Sequence, residues 1–153
     1  MGQQQSLQQT REVDTSQPDC RLLVIDDDAS ICELLEKFGE KAGFATARAV
    51  SVDEATERLR ESQFDCITLD LGLGEDSGVE VLKVLADMRI QAPIIIISGS
   101  QRSMRDFATA IGNNMHLVLQ QHLAKPIDFA AFKRALADVK RKLESQRSAK
   151  PAA

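Results

Sequence analysis

Apolar and polar positions follow two alternating patterns along this chain, and these patterns predict strands and helices in turn. Short, almost wholly apolar runs at 21–25 and 93–98 are typical of strands buried on both faces of a sheet. Between such runs apolar residues recur at helical spacing, as at Ile31, Leu34 and Leu35. The predicted strands are 21–25, 44–50, 65–70, 93–98 and 117–123, and the predicted helices are 29–42, 51–61, 79–88, 102–111 and 127–147.

Local signals support this division into elements. Gly43 follows the first predicted helix as a stop signal, and Ser51 with Glu54 three residues later forms a capping-box pattern. Residues 72–78 are predicted to form a loop. Strand and helix alternate five times, which predicts an α/β fold with a doubly wound, five-stranded parallel sheet and five helices. In such folds the functional site lies where the strands end at their carboxyl sides.

The two ends of the chain lack the pattern. Residues 1–19 are rich in Gln without apolar periodicity and are predicted to be disordered, and residues 148–153 are predicted to be a frayed tail. One domain is therefore expected over 20–147. The apolar stripe of its last helix continues to Val139 and Leu143, which we expect to pass the domain edge, where they could form a helix–helix contact in a homodimer.

Composition narrows the function classes. The 153 residues carry a net charge of −4, so the chain is not expected to bind nucleic acid. No apolar run approaches membrane-spanning length, and no signal-peptide pattern is seen, so a cytoplasmic protein without a membrane partner is expected. The three cysteines, Cys20, Cys32 and Cys66, lie far apart and are predicted to be reduced core residues.

Residues with reactive or metal-binding side chains stand where the predicted strands end. The first strand ends in Asp26, Asp27 and Asp28, the third in Asp70, the fourth in Ser98, and the fifth runs into Lys125. Asp28 suits the cap of the next helix. The other carboxylates would repel one another, and a hard divalent cation such as Mg²⁺ removes that conflict. A lysine and a hydroxyl beside a nucleophilic carboxylate suit phosphoryl transfer.

Four motifs together resemble the response-regulator receiver family over about 20–146. They are Leu-Val-Ile-Asp26-Asp27, Ile-Thr-Leu-Asp70-Leu with Gly78 eight residues later, Ile-Ile-Ile-Ser98-Gly, and Leu-Ala-Lys125-Pro126. The resemblance implies a flavodoxin-like sheet with strand order 2-1-3-4-5. It also implies a receiver domain that accepts a phosphoryl group on one aspartate from a histidine kinase or histidine phosphotransfer protein.

The resemblance assigns a role to each motif residue. Asp70 would be phosphorylated, and Mg²⁺ would be held by Asp26, Asp27, Asp70 and the backbone carbonyl of Gly72. Ser98 and Lys125 would contact the phosphoryl oxygens, and the Lys125–Pro126 peptide bond would be cis. A downstream protein would bind the face formed by the fourth predicted helix, the fifth strand and the last helix.

The chain departs from the family pattern at several positions, most of them near the face that would bind a downstream protein. Gly74 replaces the usual Pro after the acceptor, Gly99 replaces the usual Ala after Ser98, and the segment 113–115 looks like part of an insertion. His122 stands where the family often has a Tyr or Phe that acts as a rotameric switch. We interpret His122 as a partly exposed residue at the sheet edge, and a switch role stays a hypothesis.

Several functions remain open at this stage. The main expectation is a stand-alone receiver that is not an enzyme and that signals by phosphorylation-dependent protein contact. A phosphorelay shuttle or phosphate sink is one alternative, and a docking scaffold without phosphorylation is another. Residues 26–30 also fit a pattern that resembles haloacid-dehalogenase-type phosphatases with Asp26 as nucleophile, although no distal acidic pair follows the lysine.

Overall fold

Strands and helices alternate in this computed structural model, which describes residues 20–73, 77–102, 104, 105, 107 and 116–149. Five strands form one all-parallel sheet in the order β2-β1-β3-β4-β5. The strands are β1 (Cys20–Ile25), β2 (Phe44–Ala49), β3 (Cys66–Asp70), β4 (Ile94–Ser98) and β5 (Leu119–Ala124). The helices are α1 (Ala29–Lys41), α2 (Val52–Glu61), α3 (Ser77–Asp87) and α4 (Phe129–Ala149). The predicted fold class and strand order are confirmed.

Four helices, not five, have bounds within the described residues. Of the helix predicted at 102–111, residues 102, 104, 105 and 107 are helical, as is residue 101 before them. The rest of that helix lies outside the described part of the chain. So do the predicted tail at 1–19, residues 150–153 of the other tail, Gly74, and the segment 113–115.

The three central strands, β1, β3 and β4, are buried on both faces, which explains why they are almost continuous apolar runs. Leu23 and Ile25 of β1 enter one core cluster with α2 and α3, and Leu22 and Val24 enter the other with α1 and α4. All five residues of β3 and of β4 are buried. The cysteines are free and buried, as predicted.

Two helix N-termini are capped as the sequence indicated. The Asp28 side chain caps α1 by accepting hydrogen bonds from the backbone N–H groups of Ser30 and Ile31. At α2, Ser51 Oγ accepts a hydrogen bond from the N–H of Glu54 at 3.1 Å. The Glu54 side chain in turn accepts one from the N–H of Val50 at 3.1 Å.

Three sequence predictions are wrong in the structure. The loop predicted at 72–78 ends earlier, because α3 begins at Ser77 and includes Gly78. A Cβ at Gly78 would lie 2.5 Å from the backbone oxygen of Leu71, so only glycine fits this close approach. The last helix spans Phe129–Ala149, so it begins and ends two residues later than predicted. Val139 is fully buried and Leu143 packs against the same core, so the stripe covers the sheet and does not pass its edge.

The β4–β5 pairing contains one register shift. Ile94 pairs with Leu119, but Ile95 pairs with Gln121, so Gln120 has no partner residue. Beyond the shift the pairing is one-to-one and ends with Ser98 opposite Ala124. The shift therefore sets which β5 side chains lie on the same face as Ser98.

Candidate functional site

Three carboxylates meet at the carboxyl edge of the sheet. Asp70 is the last residue of β3, and Asp26 follows β1, whose last residue Ile25 pairs with Leu69. Carboxylate oxygens of Asp26, Asp27 and Asp70 all lie within 4.8 Å of one another. Asp26 and Asp70 are 1% and 2% exposed, whereas Asp27 is exposed. The parallel arrangement thus brings together the acidic residues that the sequence singled out.

Backbone N–H groups hold two of these carboxylates in place. Asp26 Oδ1 accepts a hydrogen bond from the N–H of Asp28 at 2.9 Å, and Asp70 Oδ1 accepts one from the N–H of Gly72 at 2.9 Å. The other oxygen of Asp26, Oδ2, is buried and has no hydrogen-bond partner among the described residues. A buried carboxylate oxygen of this kind is costly unless something compensates its charge.

The environment of Asp26 opposes its ionisation. The pKa of Asp26 is raised from 3.8 to about 6, mainly because the carboxyl is buried. The negative charges of Asp70 and Asp27 contribute to this net rise, and the Asp28 N–H and Lys125 oppose it. The site therefore concentrates more negative charge than the protein itself compensates. Hard carboxylate oxygens in such a cluster are the ligands that Mg²⁺ or Ca²⁺ prefers, so the donor set fits a divalent cation.

Lys125 supplies the one cationic side chain that is hydrogen-bonded to these acids in the described part of the chain. Its Nζ donates to Asp70 Oδ2 at 2.7 Å, and its backbone N–H donates to the carbonyl of Ser98 at 2.9 Å. Burial lowers the pKa of Lys125, but the hydrogen bond and charge of Asp70 outweigh it, so the net shift is upward. The Lys125–Pro126 peptide bond is cis.

Ser98 ends β4 at the same edge, and its hydroxyl pairs with a histidine. Ser98 Oγ lies 2.8 Å from His122 Nε2. His122 is exposed on β5, as the sequence interpretation had it, but that interpretation missed the hydrogen bond. A cavity of about 520 Å³ opens beside the pair and reaches Lys125. A Cβ at Gly99 would lie 3.2 Å from Lys125 Cδ, so the residue after Ser98 adjoins the lysine side chain.

Helix length and hydropathy give one further finding. No helix in the described ranges is both long enough and apolar enough to cross a membrane.

Comparison with known proteins agrees with this architecture. Residues 22–137 match the model of the response regulator receiver domain family. The chain is 32% identical over 117 residues to the acid tolerance regulatory protein ActR of Sinorhizobium medicae, covering 76% of this chain and 58% of ActR. It is 40% identical over 79 residues to the alginate biosynthesis transcriptional regulatory protein AlgB of Pseudomonas aeruginosa, covering 52% of this chain and 17% of AlgB.

A solved structure is similar in fold and sequence. A response regulator protein from Burkholderia pseudomallei, solved with a phosphorylated aspartic acid, calcium ion and citrate, superimposes with a TM-score of 0.63 at 27% identity. The match covers 88% of this chain and 77% of that one. The family match, the curated relatives and the site at the sheet's carboxyl edge agree, and the chain belongs to the response-regulator receiver family.

Proposed function

We propose that this chain is a Mg²⁺-dependent phosphoryl acceptor that is modified on Asp70 and signals through a protein contact. One observation carries the proposal: Lys125 Nζ is 2.7 Å from Asp70 Oδ2 inside a cluster of three carboxylates. A nucleophilic carboxylate needs a nearby cation to approach an anionic phosphoryl group, and Asp70 has that cation in hydrogen-bond contact.

Asp26 is less suited to be the nucleophile. Burial raises its pKa to about 6, so the protein opposes the ionised form that a nucleophile needs. Lys125 is hydrogen-bonded to Asp70 and not to Asp26. These contacts favour a receiver over the phosphatase alternative, in which Asp26 would attack the substrate.

In this reaction the chain positions the attacking carboxylate and compensates the negative charge of the phosphoryl group. A carboxylate oxygen of Asp70 forms a bond to the phosphorus of a donor, and the bond from phosphorus to the donor's nitrogen or oxygen breaks with its electron pair. Lys125 then stabilises the negative charge on the phosphoryl oxygens. The Gly72 N–H, which donates to Asp70 Oδ1, holds the carboxyl group of the resulting acyl phosphate. Asp26, Asp27, Asp70 and the Gly72 carbonyl would hold Mg²⁺, which would supply further positive charge to the phosphoryl oxygens.

Membership of the receiver family supports a proposal for the phosphoryl donor and for the output. We propose a histidine kinase or a histidine phosphotransfer protein as the donor, and a protein partner on the face around β5 and α4. This chain spans less than two thirds of ActR and AlgB, so the activities named for those regulators are not carried over. A phosphorelay shuttle remains the second candidate, and a transfer time course separates the two. A shuttle passes the group in both directions, whereas a switch binds its target only when phosphorylated.

The test is intact mass spectrometry after incubation with acetyl phosphate. Wild type in Mg²⁺ should gain one phosphoryl adduct that is labile to acid and base, and Asp70→Asn should gain none. Asp53→Asn, which removes an exposed carboxylate from the first turn of α2, is the matched control and should behave as wild type. Labelling of Asp70→Asn would contradict the assignment. Multiple turnover of an aryl phosphate that Asp26→Asn abolishes would favour the phosphatase.

A further inference from the structure

We propose that His122 is a positioning residue for the Ser98 hydroxyl. In this proposal the His122 Nε2–H donates to Ser98 Oγ, and this leaves the single hydroxyl proton of Ser98 free for a phosphoryl oxygen on Asp70. The inference rests on the proposed function, because it concerns the hydroxyl that would donate a hydrogen bond to the phosphoryl group on Asp70.

Sheet geometry places the two side chains together. Beyond the register shift, Ser98 is opposite Ala124, and His122 lies two residues earlier on β5. Residues two apart on a strand point to the same face, so His122 is the diagonal neighbour of Ser98. The 2.8 Å separation of Ser98 Oγ and His122 Nε2 is that of a good hydrogen bond. Ser98 is 4% exposed, so water competes poorly for its hydroxyl.

Counting protons shows why the direction of this hydrogen bond matters. A serine hydroxyl has one proton, and a neutral imidazole carries its proton on either Nδ1 or Nε2. If Nε2 is unprotonated, the bond forms only by donation from Ser98, which then has no proton left for a phosphoryl oxygen. If Nε2 carries the proton, His122 donates, and the Ser98 hydroxyl can donate onward to an anionic acceptor.

The charged side chains that line the adjoining cavity differ from His122 in their hydrogen-bonding chemistry. The charged side chains that line the adjoining cavity, among the described residues, are Arg105 and Lys125. Both are hydrogen-bond donors with no acceptor atom, so neither can take a proton from Ser98. His122 is the lining side chain with a nitrogen that can either take or give a proton. A Tyr or Phe that acts here by ring packing would lack this nitrogen, so the proposed role differs from a rotameric switch.

A double-mutant cycle with beryllofluoride, an anionic mimic of the phosphoryl group, tests the proposal. Binding in Mg²⁺ would be followed by amide NMR for wild type, His122→Phe, His122→Gln, Ser98→Ala and the Ser98→Ala/His122→Phe pair. We expect His122→Phe to weaken binding by about fivefold, because the Ser98 hydroxyl keeps its proton but loses the neutral hydrogen bond that orients it. His122→Gln keeps an N–H donor and should bind nearly as well as wild type. In the Ser98→Ala background His122→Phe should have little further effect.

The position of the proton on the His122 ring can be measured by NMR. The chain has two histidines, so ¹⁵N-histidine spectra are simple to assign with His122→Gln. In the beryllofluoride complex the His122 ring should show a protonated Nε2. Gln121→Phe, on the other face of β5 next to His122, is the matched control for adding an aromatic ring and should bind as wild type.

The outcomes separate this inference from the proposed function. Equal losses in His122→Phe and His122→Gln, or a His122→Phe loss that persists without the Ser98 hydroxyl, would overturn the positioning role alone. An unprotonated Nε2 in the complex would do the same. Failure of wild type to bind beryllofluoride, or equal binding by Asp70→Asn, would overturn the proposed function and this inference with it.

Discussion

Replacing Asp26 with Asn should stabilise the metal-free protein, because the native carboxylate opposes folding when it is ionised. Asp26 is 1% exposed, one of its oxygens lacks a hydrogen-bond partner among the described residues, and its pKa is raised from 3.8 to about 6. A shift of this size corresponds to about 3 kcal/mol of unfolding free energy. The Asn amide adds a donor that must find a partner, so we expect a net gain of about 1–3 kcal/mol at neutral pH.

The sign of the pH dependence follows from the raised pKa. The stability that Asp26 contributes is fully present below pH 3.8, where its carboxyl is protonated in both states, and is lost as pH rises through about 6. The difference in stability between Asp26→Asn and wild type should therefore be small at acid pH and grow across that window. Urea unfolding followed by circular dichroism in EDTA, at several pH values, measures it. The chain has no Trp or Tyr, so fluorescence would report little.

Mg²⁺ should stabilise wild type more than it stabilises Asp26→Asn. Wild type should gain stability because a cation that binds only the folded cluster shifts the unfolding equilibrium, whereas Asp26→Asn should gain much less. Asp53→Asn should follow wild type throughout. An Asp26→Asn protein that is less stable than wild type in EDTA at neutral pH, or that gains as much from Mg²⁺, would refute the reasoning.

Three further substitutions test other parts of the structure. Lys125→Ala should keep some acetyl phosphate labelling but lose the shift in amide NMR signals that accompanies it, because the cation bound to Asp70 is gone while the nucleophile remains; unchanged signal shifts would contradict this. Thr68→Val should raise the unfolding free energy by about 1 kcal/mol in urea titrations, because the buried Thr68 hydroxyl has no hydrogen-bond partner among the described residues. Arg89→Gly should raise it by about 1 kcal/mol, because Arg89 has a φ of 56° in the turn that ends α3, a conformation that favours glycine. A loss of stability in either variant would refute its explanation.

The sequence predicted the sheet and the acidic cluster because both depend on local patterns. Continuous apolar runs identify strands buried on two faces, and a polar residue that closes such a run must lie at the edge of the sheet. Asp26, Asp70 and Ser98 could therefore be grouped from the sequence alone. Their joint placement needed only the parallel order of the strands, which alternation with helices indicates.

The errors fall where the answer depends on distant parts of the chain. The helical position of Gly78 reflects close approach to the Leu71 backbone, which no local pattern reveals. The apolar stripe through Val139 shows that something covers that face of α4, but not that the sheet does. The Ser98–His122 bond depends on a one-residue shift between two strands, and a shift of one residue turns each side chain to the opposite face.

The same register shift divides β5 into two parts with different tolerance to insertion. From Gln121 to Ala124 the strand pairs residue for residue with Ile95 to Ser98, and this block leads directly into Lys125. An added residue before Gln120 changes only the connection that precedes the block. The side chains of the block therefore keep the faces of the sheet to which they point. An added residue within the block inverts the faces of all that follow, and it would turn Lys125 away from Asp70. The connection before Gln120 can thus vary in length while Ser98, His122 and Lys125 keep their positions at the sheet edge.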